Sequence, residues 1–404
     1  MESNNIAGFD GGNKLRILEV IDNYFPVVDG VVRVVDCYAE NLNKKADCTV
    51  FAPRYPNCPE TDKYKLILSP SISGGKYGVR LPVPYFSCKL RKFFKNNKFD
   101  IIHCHSPVTL AGYIAGYAKK NNIPLLFTIH TKFHEEINAH VRIKFLQKFA
   151  LNFLLRNIRK MDYFWAVSDS AKRLLNNVYN IKADCKIMRN GAYLSEETAN
   201  KSVVEKIKKD YELEKSDIVL LDVGRLVKVK NYDLILDTVS ILKNKGYSVK
   251  VFIVGDGDYK KEIITRINEA NLSDEIILTG YVKDEERLAS YYIASDMFIL
   301  PSTFDTSSLA VRDAYAMSLP VLTVKNSAAA EGIIDNHNGF IAECNANAFA
   351  EKIEYAIAHK NVLSDVGKNG KNELYVSWSK ITDEVLKEYQ EIVSLHRDLK
   401  KSRK

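Results

Sequence analysis

The chain has 404 residues, 46% of them apolar, and a formal net charge of +8 at pH 7. This length excludes a single small domain and predicts two or three domains of roughly 150 residues each. No run approaches the roughly 20 consecutive apolar residues of a membrane span, and the N-terminus lacks a signal-peptide pattern, so we expect a cytoplasmic protein. The seven cysteines are scattered and never spaced C-x-x-C, which argues against a disulfide framework or a zinc site.

The first half of the chain alternates short apolar strands with amphipathic helices. Strands are predicted at KLRILEVI (14–21), DCTVFAP (47–53), KYKLIL (63–68), FDIIHCH (99–105) and IPLLFTIH (123–130). Between several of them lie helical patterns such as VVRVVDCYAENLNKK and TLAGYIAGYAKKNN. Continuous apolar strands that alternate with helices indicate a parallel sheet covered on both faces.

Two basic stretches account for much of the charge. Residues 1–200 carry a net charge of +11, whereas the remaining 204 carry −3. The stretches are CKLRKFFKNNK (88–98) and VRIKFLQKFALNFLLRNIRK (141–160), and the second places an apolar stripe beside its cations: Phe145, Leu146, Phe149, Phe153 and Leu154. Such a helix either faces the core with a solvated basic back, or docks on anionic lipid at about 1 kcal/mol per basic residue. No nucleic-acid reader motif accompanies the charge.

Four histidines of the first half offer a metal-binding alternative. His103 and His105 share one face of a strand, and His130 and His134 share one face if that stretch is helical. Four imidazoles could gather on a metal ion, but no Asp, Glu or Cys completes an obvious ligand set. We favour histidines that are hydrogen-bonded in the core or a cleft, and we expect no metal cofactor.

The second half repeats the pattern with DIVLLDVGR, VKVFIVGDG, EIILTGYV, MFILPS and PVLTV. We therefore expect an α/β fold with two doubly wound, Rossmann-like domains that face a cleft. The polar segment after the turn signal Asn190–Gly191 marks the boundary. The predicted domains are 1–195 and 196–376, followed over 377–404 by a basic tail and a helix that has no strand to cover and could cross back.

A glycine loop follows the first predicted strand of the second half. Gly224 lets the backbone turn, and the cations Arg225 and Lys230 could converge on one anionic group, for which phosphate is the natural choice. The alternative is a solvated basic loop.

The segment FDTSSLAVRD (304–313) places two carboxylates eight positions apart around a helix start. Thr306, Ser307 and Ser308 are in position to cap that helix, whose free N–H groups and dipole suit a diphosphate. Asp305 precedes the helix, and Asp313 lies about one and a half turns inside it. They could accept hydrogen bonds from two parts of one ligand. The alternative is a turn residue at 305 and a solvated helix position at 313 that pairs with a cation.

Taken in order, the motifs resemble retaining glycosyltransferase family 4, which has the GT-B fold. The resemblance rests on GRLVKVKN, VGDGDYKKEI, LTGYV, ASDMFILPSTFDTSSLAVRDAYAMSLPVL and NHNGFIA, with NYFPVVDGVVRVV, FDIIHCHSPVTLAGYIA, PLLFTIHTKF and MRNG in the first half. It covers about residues 14–395 and is strongest to the branch that glycosylates membrane lipids such as diacylglycerol.

The resemblance implies roles for individual residues. Asp305 would bind hydroxyls of the transferred sugar and Asp313 the ribose, while Arg225 and Lys230 would neutralise the departing diphosphate. His130 would lie near the transferred sugar. The implied donor pocket also contains Gly30, which lets the backbone approach the donor, and Gly224, Tyr281, Val282, Thr306, Ser307, Ser308 and Leu309. Two departures bear on donor identity: both family glutamates are aspartates here, and Ser307–Ser308 replaces an aromatic–glycine step.

The expected function is retaining transfer of a hexose from a nucleotide sugar, most simply a UDP-sugar, without a metal. The favoured acceptor is a membrane lipid or lipid-linked molecule, reached by a peripheral protein on the anionic inner face of the cell membrane. Alternatives are an acceptor in cell-surface polysaccharide synthesis and a non-catalytic glycosyltransferase-like partner subunit. An epimerase or a phosphorylase would need further catalytic groups, and no lysine motif for a pyridoxal cofactor is present.

Overall fold

The computed structural model describes residues 14–27, 29–74 and 80–402 and divides the chain into two compact units. The first comprises Met1–Arg189 and Trp378–Lys404, and the second comprises Asn190–Ser377. The division thus falls a few residues before the predicted boundary at 195, and the C-terminal helix groups with the first unit. Residues 1–13, where no signal peptide is predicted, and the last two residues of the basic tail lie outside the described residues.

The helices and strands follow in chain order. The first unit contains β1 (Arg16–Val20), α1 (Gly30–Asn43), β2 (Asp47–Pro53), β3 (Lys65–Ser69), β4 (Ser71–Ser73), β5 (Arg80–Pro82), α2 (Cys88–Asn96), β6 (Ile101–Cys104), α3 (Thr109–Asn121), β7 (Leu125–Ile129), α4 (Phe133–His140), α5 (Lys144–Ile158), β8 (Tyr163–Ala166), α6 (Asp169–Arg173) and β9 (Cys185–Ile187). The second contains α7 (Lys201–Asp210), β10 (Ile218–Val223), α8 (Tyr232–Asn244), β11 (Val249–Val254), α9 (Lys260–Glu269), β12 (Ile276–Gly280), α10 (Glu285–Ile293), β13 (Met297–Leu300), α11 (Leu309–Ala316), β14 (Val321–Val324), β15 (Phe340–Ala342), α12 (Ala346–Ala358) and α13 (Lys360–Leu374). The last helix is α14 (Trp378–Lys401).

Each unit is built on one parallel sheet, as the alternation of strands and helices predicts. The first sheet has the order β3-β2-β1-β6-β7-β8-β9, and the second has the order β12-β11-β10-β13-β14-β15. In both, the chain leaves the first strand in one direction and later returns to its other side. β1 and β10 are therefore the strands at which the order reverses, where open α/β sheets place their ligands.

The predicted strands are all present, and the α/β fold of two doubly wound units is confirmed. Five short strands, β4, β5, β8, β9 and β15, were not predicted, since runs of three or four residues show too little periodicity. The cysteines are free, as expected. Within the described residues, none of the helices combines the length and apolar character that crossing a membrane requires.

The helix α14 belongs to the core of the first unit. Its residues Trp378, Val385 and Tyr389 are buried, and the Tyr389 ring stacks on Trp165 of β8 with centroids 5.5 Å apart. Trp378 meets Tyr38 of α1 edge-on at 5.4 Å. The last helix of the chain therefore packs against a strand and a helix of the first unit.

Candidate active site

The loops after β10 and β13 meet at one edge of the second sheet. The two strands are hydrogen-bonded neighbours with Leu220 opposite Met297, so their carboxyl ends lie side by side. The first loop carries Gly224, Arg225 and Lys230, and the second leads from β13 through Asp305 into α11. Two motifs that are 75 residues apart in sequence therefore form one site.

Lys230 and Asp305 form a largely buried ion pair at the centre of this site. Lys230 Nζ donates to Asp305 Oδ1 over 2.8 Å, and the two side chains are 15% and 16% exposed. Burial alone would lower the pKa of Lys230, but Asp305 and Asp222 outweigh it and raise that pKa. Burial would likewise raise the pKa of Asp305, and Lys230 instead holds it below its usual range. The sequence predicts a phosphate as the anionic partner of Lys230, and in this structure the Asp305 carboxylate is that partner.

Asp222 is a third charged group of the site and was missed from the sequence. It is the next-to-last residue of β10, and only 1% of it is exposed. Burial raises the pKa of its carboxyl to about 7, a rise that the nearby Lys230 ammonium limits. The available signal was a single carboxylate in an otherwise apolar strand, because burying such a group is costly unless it is paired.

Gly224 and Arg225 are the first two residues of the same loop, directly after β10. Arg225 is exposed, and among the described residues its guanidinium makes no hydrogen bond or ion pair. Its charge is close enough to oppose the protonation of Lys230. A Cβ at Gly224 would lie 3.3 Å from Lys230 Nζ and 3.6 Å from the Tyr232 hydroxyl, so the glycine leaves room for the ammonium.

The start of α11 differs from the capped start that the sequence predicts. Ser308 stands at the N-cap position with extended backbone, but its side chain makes no capping hydrogen bond. Thr306 and Ser308 are both buried. The Ser307 hydroxyl and Asp305 Oδ2 are buried without a hydrogen-bond partner among the described residues. Buried polar atoms normally have partners, so this pair of atoms fits a polar ligand that binds beside the helix start.

Asp313 is held inside the second unit. It is 5% exposed, which contradicts the alternative of a solvated helix position. Its Oδ1 accepts hydrogen bonds from the backbone N–H groups of Tyr193 (2.6 Å) and Leu194 (2.9 Å). The carboxylate therefore fixes the segment that opens this unit, a role that the sequence did not indicate.

The remaining donor-pocket residues of the second unit are spread along the sheet. Leu309 is the partly exposed first residue of α11, beside the Asp305 loop. Tyr281 is 55% exposed and Val282 is partly buried, and both directly follow β12. They follow a strand that is separated from β10 by β11, and backbone hydrogen bonds from Gly224 to Val254 and from Gly255 to Gly280 link the ends of the three strands.

Gly30 opens α1 in the first unit, after the loop that follows β1. Asp29 caps this helix by accepting a hydrogen bond from Val32 N over 2.8 Å. A Cβ placed on Gly30 would meet no atom of the described residues within 4 Å. Packing among these residues does not require glycine here, and the open backbone suits close approach by a ligand.

A buried network joins three of the four histidines to Glu19 of β1. His105 Nε2 lies 2.6 Å from Glu19 Oε2, and His105 Nδ1 lies 3.0 Å from His130 Nε2. His103 is bonded through Nδ1 to the Tyr389 hydroxyl and through Nε2 to the Thr128 hydroxyl, both at 2.6 Å. Hydrogen bonds therefore occupy both nitrogens of His103 and of His105.

The four-histidine metal set is not formed. The ring of His134 bonds instead to the Tyr179 hydroxyl, with Nδ1 3.1 Å from that oxygen. Glu19, the carboxylate that the sequence reasoning did not find, has donor atoms within 4.8 Å of those of His103 and His105. Like Asp222, it is the next-to-last residue of its strand.

Burial controls the protonation of this network. It raises the pKa of Glu19 to about 8, a rise that the Tyr389 hydroxyl opposes. It lowers the pKa of His105 to about 3 and takes those of His103 and His130 well below the usual 6.5. At neutral pH the three imidazoles are neutral, and the carboxyl is the group that titrates.

The basic helix α5 displays its apolar side chains instead of burying them. Exposed large apolar residues cluster at its start, namely Ile143 (60%), Phe145 (74%), Leu146 (45%) and Phe149 (66%). Phe153 is partly buried, Leu151 and Leu154 are partly buried against the core of the first unit, and Leu155 and Ile158 are fully part of that core. A core-facing stripe is therefore wrong for the first two turns. The exposed Tyr85 and Phe86 directly precede the other basic helix, α2.

Comparison with known proteins gives a consistent result for both halves of the chain. Residues 28–196 match the family described as "Glycosyltransferase Family 4", and residues 203–373 match "Glycosyl transferases group 1".

Two similar proteins and one solved structure agree with these family matches. The chain is 24% identical over 372 residues to the alpha-monoglucosyldiacylglycerol synthase of Acholeplasma laidlawii, covering 88% of this chain and 91% of that protein. It is 23% identical over 328 residues to the synthase of the same name from Streptococcus pneumoniae, covering 77% and 71%. The crystal structure of Anabaena HepE in complex with UDP and glucose superimposes with a TM-score of 0.74 at 16% identity, covering 93% and 99%.

Proposed function

Since this chain belongs to glycosyltransferase family 4 and has the GT-B fold, we propose that it is a retaining hexosyltransferase that uses a UDP-sugar and a membrane lipid. The observation that carries the donor assignment is the Lys230–Asp305 pair beside α11, where Asp305 Oδ2 and the Ser307 hydroxyl are buried and unsatisfied. A sugar diphosphate supplies what these groups need, since it has an anion for the lysine and hydroxyls for the carboxylate.

In this proposal the diphosphate takes the place of Asp305 as the partner of Lys230. Arg225, which is exposed and unbonded among the described residues, closes on the same anion. The N–H groups at the start of α11 add a positive dipole end. Negative charge develops on the diphosphate as the glycosidic bond breaks, and preorganised cations lower that barrier. The leaving diphosphate can itself accept the proton of the acceptor hydroxyl.

Other site residues bind the rest of the donor. Asp305 Oδ2 accepts a hydrogen bond from a sugar hydroxyl. For the first unit, the donor contacts of His130 and of Gly30, whose backbone is open, are those that the family resemblance implies. Asp313 contacts the ribose while holding Tyr193 and Leu194. We propose that no metal is required, because Arg225, Lys230 and the helix start provide the positive charge.

The lipid acceptor is supported by α5 and by the relatives named as diacylglycerol glycolipid synthases. Exposed Phe145 and Phe149 are unfavourable in water and favourable in a membrane interface. The cations of the same helix add attraction to acidic headgroups. Next to it, a groove of about 330 Å³ lies between α4 and α5 and is lined in part by His134, Lys144 and Lys148. The protein would act peripherally on the inner face of the cell membrane.

A binding screen tests the donor assignment directly. UDP, GDP and their glucose and galactose derivatives are each added, and the melting temperature is measured, because a ligand that binds only folded protein raises it. UDP and one UDP-hexose should raise the melting temperature, and Arg225→Ala should reduce the shift. Shifts with GDP ligands alone would contradict the UDP assignment.

The second candidate is a non-catalytic glycosyltransferase-like partner subunit. The observation that favours it is the Asp305 carboxylate, which already neutralises Lys230. Under that function, UDP-sugars would bind without being consumed. Release of UDP in the presence of lipid vesicles separates the two functions.

A further inference from the structure

The candidate active site of the second unit holds two carboxylates beside one buried ammonium. We call Asp222, Lys230 and Asp305 the charge cluster. Asp305 Oδ1 accepts from Lys230 Nζ over 2.8 Å, and both side chains are largely buried. Asp222, near the end of β10, is 1% exposed, and it is close enough to Lys230 for each charge to shift the pKa of the other. When both carboxylates are ionised, the negative charge of the cluster exceeds the positive charge of Lys230.

Neighbouring groups from four parts of the unit face Asp222. Burial is the largest influence and raises the pKa of this carboxyl to about 7. Lys230, in the loop after β10, and Tyr232, at the start of α8, limit the rise, whereas Asp305, in the loop after β13, adds to it. Tyr292 of α10 is a further neighbour, because its pKa, raised mainly by burial, also responds to Asp222. Asp222 is therefore about half ionised at neutral pH, where a small change nearby moves its proton.

The polar atoms at the end of β10 are close together and incompletely bonded. A Cβ placed on Gly224 would lie 3.3 Å from Lys230 Nζ and 3.6 Å from the Tyr232 hydroxyl. That hydroxyl donates to the Arg225 carbonyl oxygen over 3.3 Å. Asp222 Oδ1 is buried and has no hydrogen-bond partner among the described residues. Burial without a partner is more costly for a charged carboxylate than for a neutral carboxyl group, so any loss of attraction to Lys230 favours the neutral form.

A diphosphate that binds Lys230 changes this balance in one direction. Under the proposed function, the diphosphate of a nucleotide sugar replaces Asp305 as the partner of Lys230. It carries one negative charge on each phosphate, and Arg225, which is exposed, brings a single positive charge to the same anion. Nearby like charge opposes the ionisation of a carboxyl group, and a shared ammonium attracts Asp222 less strongly. Both changes favour a neutral Asp222 in the bound state.

We propose that the second unit binds the diphosphate of a nucleotide sugar together with one proton, which Asp222 takes up. The proton comes from solvent and converts the Asp222 carboxylate into a carboxylic acid. Lys230 and the diphosphate keep their charges, and no bond of the donor breaks in this step. The proton returns to solvent when the nucleotide leaves. Asp222 is thus a positioning residue, since its neutral form leaves the charge of Lys230 to the ligand and to Asp305.

The consequence is a donor affinity that falls as pH rises above neutrality. At pH 6 Asp222 is already mostly neutral in the free protein, so little proton uptake accompanies binding. Above pH 7 the free protein must gain a proton on binding, and the dissociation constant rises by about tenfold per pH unit. With a pKa of about 7 in the free protein, the dissociation constant should be about 30-fold higher at pH 8.5 than at pH 6. The inference rests on the proposed function for the class of ligand, a nucleoside diphosphate sugar.

Isothermal titration calorimetry of the full-length protein tests this coupling. UDP-glucose and GDP-glucose are the probes, because their diphosphate stays fully ionised over pH 6–8.5, whereas the terminal phosphate of free UDP titrates in this range. Each titration is repeated in two phosphate-free buffers that differ in ionisation enthalpy, which gives the number of protons taken up. We expect about 0.1 proton per bound ligand at pH 6 and about 0.9 at pH 8. Binding at pH 8 without proton uptake would overturn the inference.

A substitution at Asp222 identifies the group that takes up the proton. Asp222→Asn keeps the size of the side chain and removes its charge, so uptake should vanish and the dissociation constant should be equal at pH 6 and pH 8.5. The matched control is Asp274→Asn, which changes an exposed carboxylate just before β12, at the opposite end of the parallel strands. This control should behave as the parent protein. Proton uptake that persists in Asp222→Asn, or an equal loss of affinity at both pH values, would overturn the inference.

A second variant keeps the test decisive if Asp222→Asn does not fold. Tyr232→Phe removes a hydroxyl that limits the rise of the Asp222 pKa. The pH at which half a proton is taken up should therefore increase by about one unit. An unmoved midpoint in Tyr232→Phe would overturn the inference.

The same titrations distinguish failure of the inference from failure of the proposed function. Binding at pH 6 with an unchanged affinity up to pH 8.5 would overturn the inference and leave the donor assignment intact. No binding of either nucleotide sugar at any pH would overturn both. Binding of GDP-glucose alone would contradict the UDP assignment, and the proton uptake measured with GDP-glucose would then decide the inference, because both probes carry the same diphosphate.

Discussion

Lys230 Nζ lies 2.8 Å from Asp305 Oδ1, so the cation expected to hold a phosphate is paired with the carboxylate expected to hold the sugar. A diphosphate must therefore compete with Asp305 for Lys230. The competition is feasible, because Asp305 gains a sugar hydroxyl and Lys230 exchanges one anion for another. Donor binding and rearrangement of this pair are linked.

The first prediction concerns the two cations. Arg225→Ala and Lys230→Ala should each lower turnover by about two to three orders of magnitude, the loss typical of removing a preorganised electrostatic group. Lys230→Ala should also destabilise the fold by about 3–5 kcal/mol, because it leaves buried Asp305 and Asp222 without their cation. Arg225 is exposed, so its variant should keep the parent stability. Lys228→Ala, an exposed lysine of the same loop, is the control. Near-normal rates in both variants would refute the phosphate assignment.

A second prediction separates the structural role of Asp313 from ligand binding. Asp313→Ala leaves the N–H groups of Tyr193 and Leu194 without their acceptor and should lower the free energy of unfolding by about 2–4 kcal/mol. Denaturation with urea measures this loss, and Asp258→Ala, at an exposed position of the same unit, should change stability by less than about 0.5 kcal/mol. A small loss in Asp313→Ala would mean that the two hydrogen bonds do not hold the segment. Weaker UDP binding by the still-folded variant would support the ribose contact.

The two carboxylates at 222 and 313 show what the sequence could and could not predict. Runs of apolar residues predicted β10 and β13, and the family resemblance placed Lys230 and Asp305, in the loops that follow these strands, in one donor pocket; the direct ion pair between them was not predicted. Periodicity could not predict that Asp222 is buried beside them, because one Asp in an apolar run does not change the predicted strand or indicate which groups surround it. Nor could it reveal that Asp313 bonds to backbone 119 and 120 residues away, since such partners depend on tertiary structure.

The first unit repeats this lesson at Glu19 and α5. The bond from Tyr389 to Glu19 spans 370 residues, and no local pattern anticipates it. The stripe of α5 was visible in the sequence, but a stripe does not say whether anything covers it. Only the structure shows that Phe145 and Phe149 are exposed.

A third prediction is that α5 brings the protein to acidic membranes. Binding to vesicles should rise with the fraction of acidic lipid and fall with salt, as the screening length drops from about 10 Å at 0.1 M to about 3 Å at 1 M. Removing positive charge from this region should abolish most of it, in a variant with glutamine at Arg142, Lys144, Lys148, Arg156, Arg159 and Lys160. Co-sedimentation at two salt concentrations measures the binding.

The apolar part of the same surface has its own variant. Phe145→Ala with Phe149→Ala should weaken vesicle binding without lowering stability, because both rings are exposed in the free protein. Ile264→Ala, an exposed apolar position of the second unit, is the matched control. Equal, weak pelleting with acidic and neutral vesicles would refute membrane docking and favour a soluble saccharide or protein acceptor.

A fourth prediction is a loss of stability with rising pH above neutrality. Glu19 and Asp222 have folded-state pKa values of about 8 and about 7, above their ordinary 4.5 and 3.8, so the folded protein binds more protons than the unfolded chain. Below pH 4 both carboxyls are protonated in the folded and unfolded states, so they cost no stability. As pH rises towards 8, ionisation is easier in the unfolded chain than in the folded protein, and the free energy of unfolding falls. The buried histidines act in the opposite sense, but only below about pH 6.5, where the unfolded rings become charged. Melting temperature should therefore fall from pH 6.5 to 8.

The source of this fall can be assigned with one substitution in each unit. Glu19→Gln and Asp222→Asn should each reduce the fall of melting temperature with pH. Glu391→Gln, which changes an exposed carboxylate on α14, is the control and should leave that fall unchanged. A melting temperature that rises over pH 6.5–8 in the parent protein would mean that these carboxyls are already ionised at pH 6.5.

A fifth prediction follows from the proposed absence of a metal. Turnover should be unaffected by excess EDTA and by added Mg²⁺ or Mn²⁺, because Arg225, Lys230 and the start of α11 supply the positive charge. Loss of turnover with EDTA, restored by one divalent ion, would contradict this.

The measurement that tests the central claim most directly is the identity of the reaction product. The protein is incubated with UDP-glucose or UDP-galactose and vesicles of diacylglycerol with acidic phospholipid, and the lipid extract is analysed by mass spectrometry and proton NMR. We predict one hexose added per diacylglycerol, UDP released in equal amount, and the small anomeric coupling of an α-linkage, which retains the donor configuration. A β-linked product would contradict retention. An unmodified lipid, from protein that binds UDP and the vesicles, would contradict a glycolipid-forming transferase.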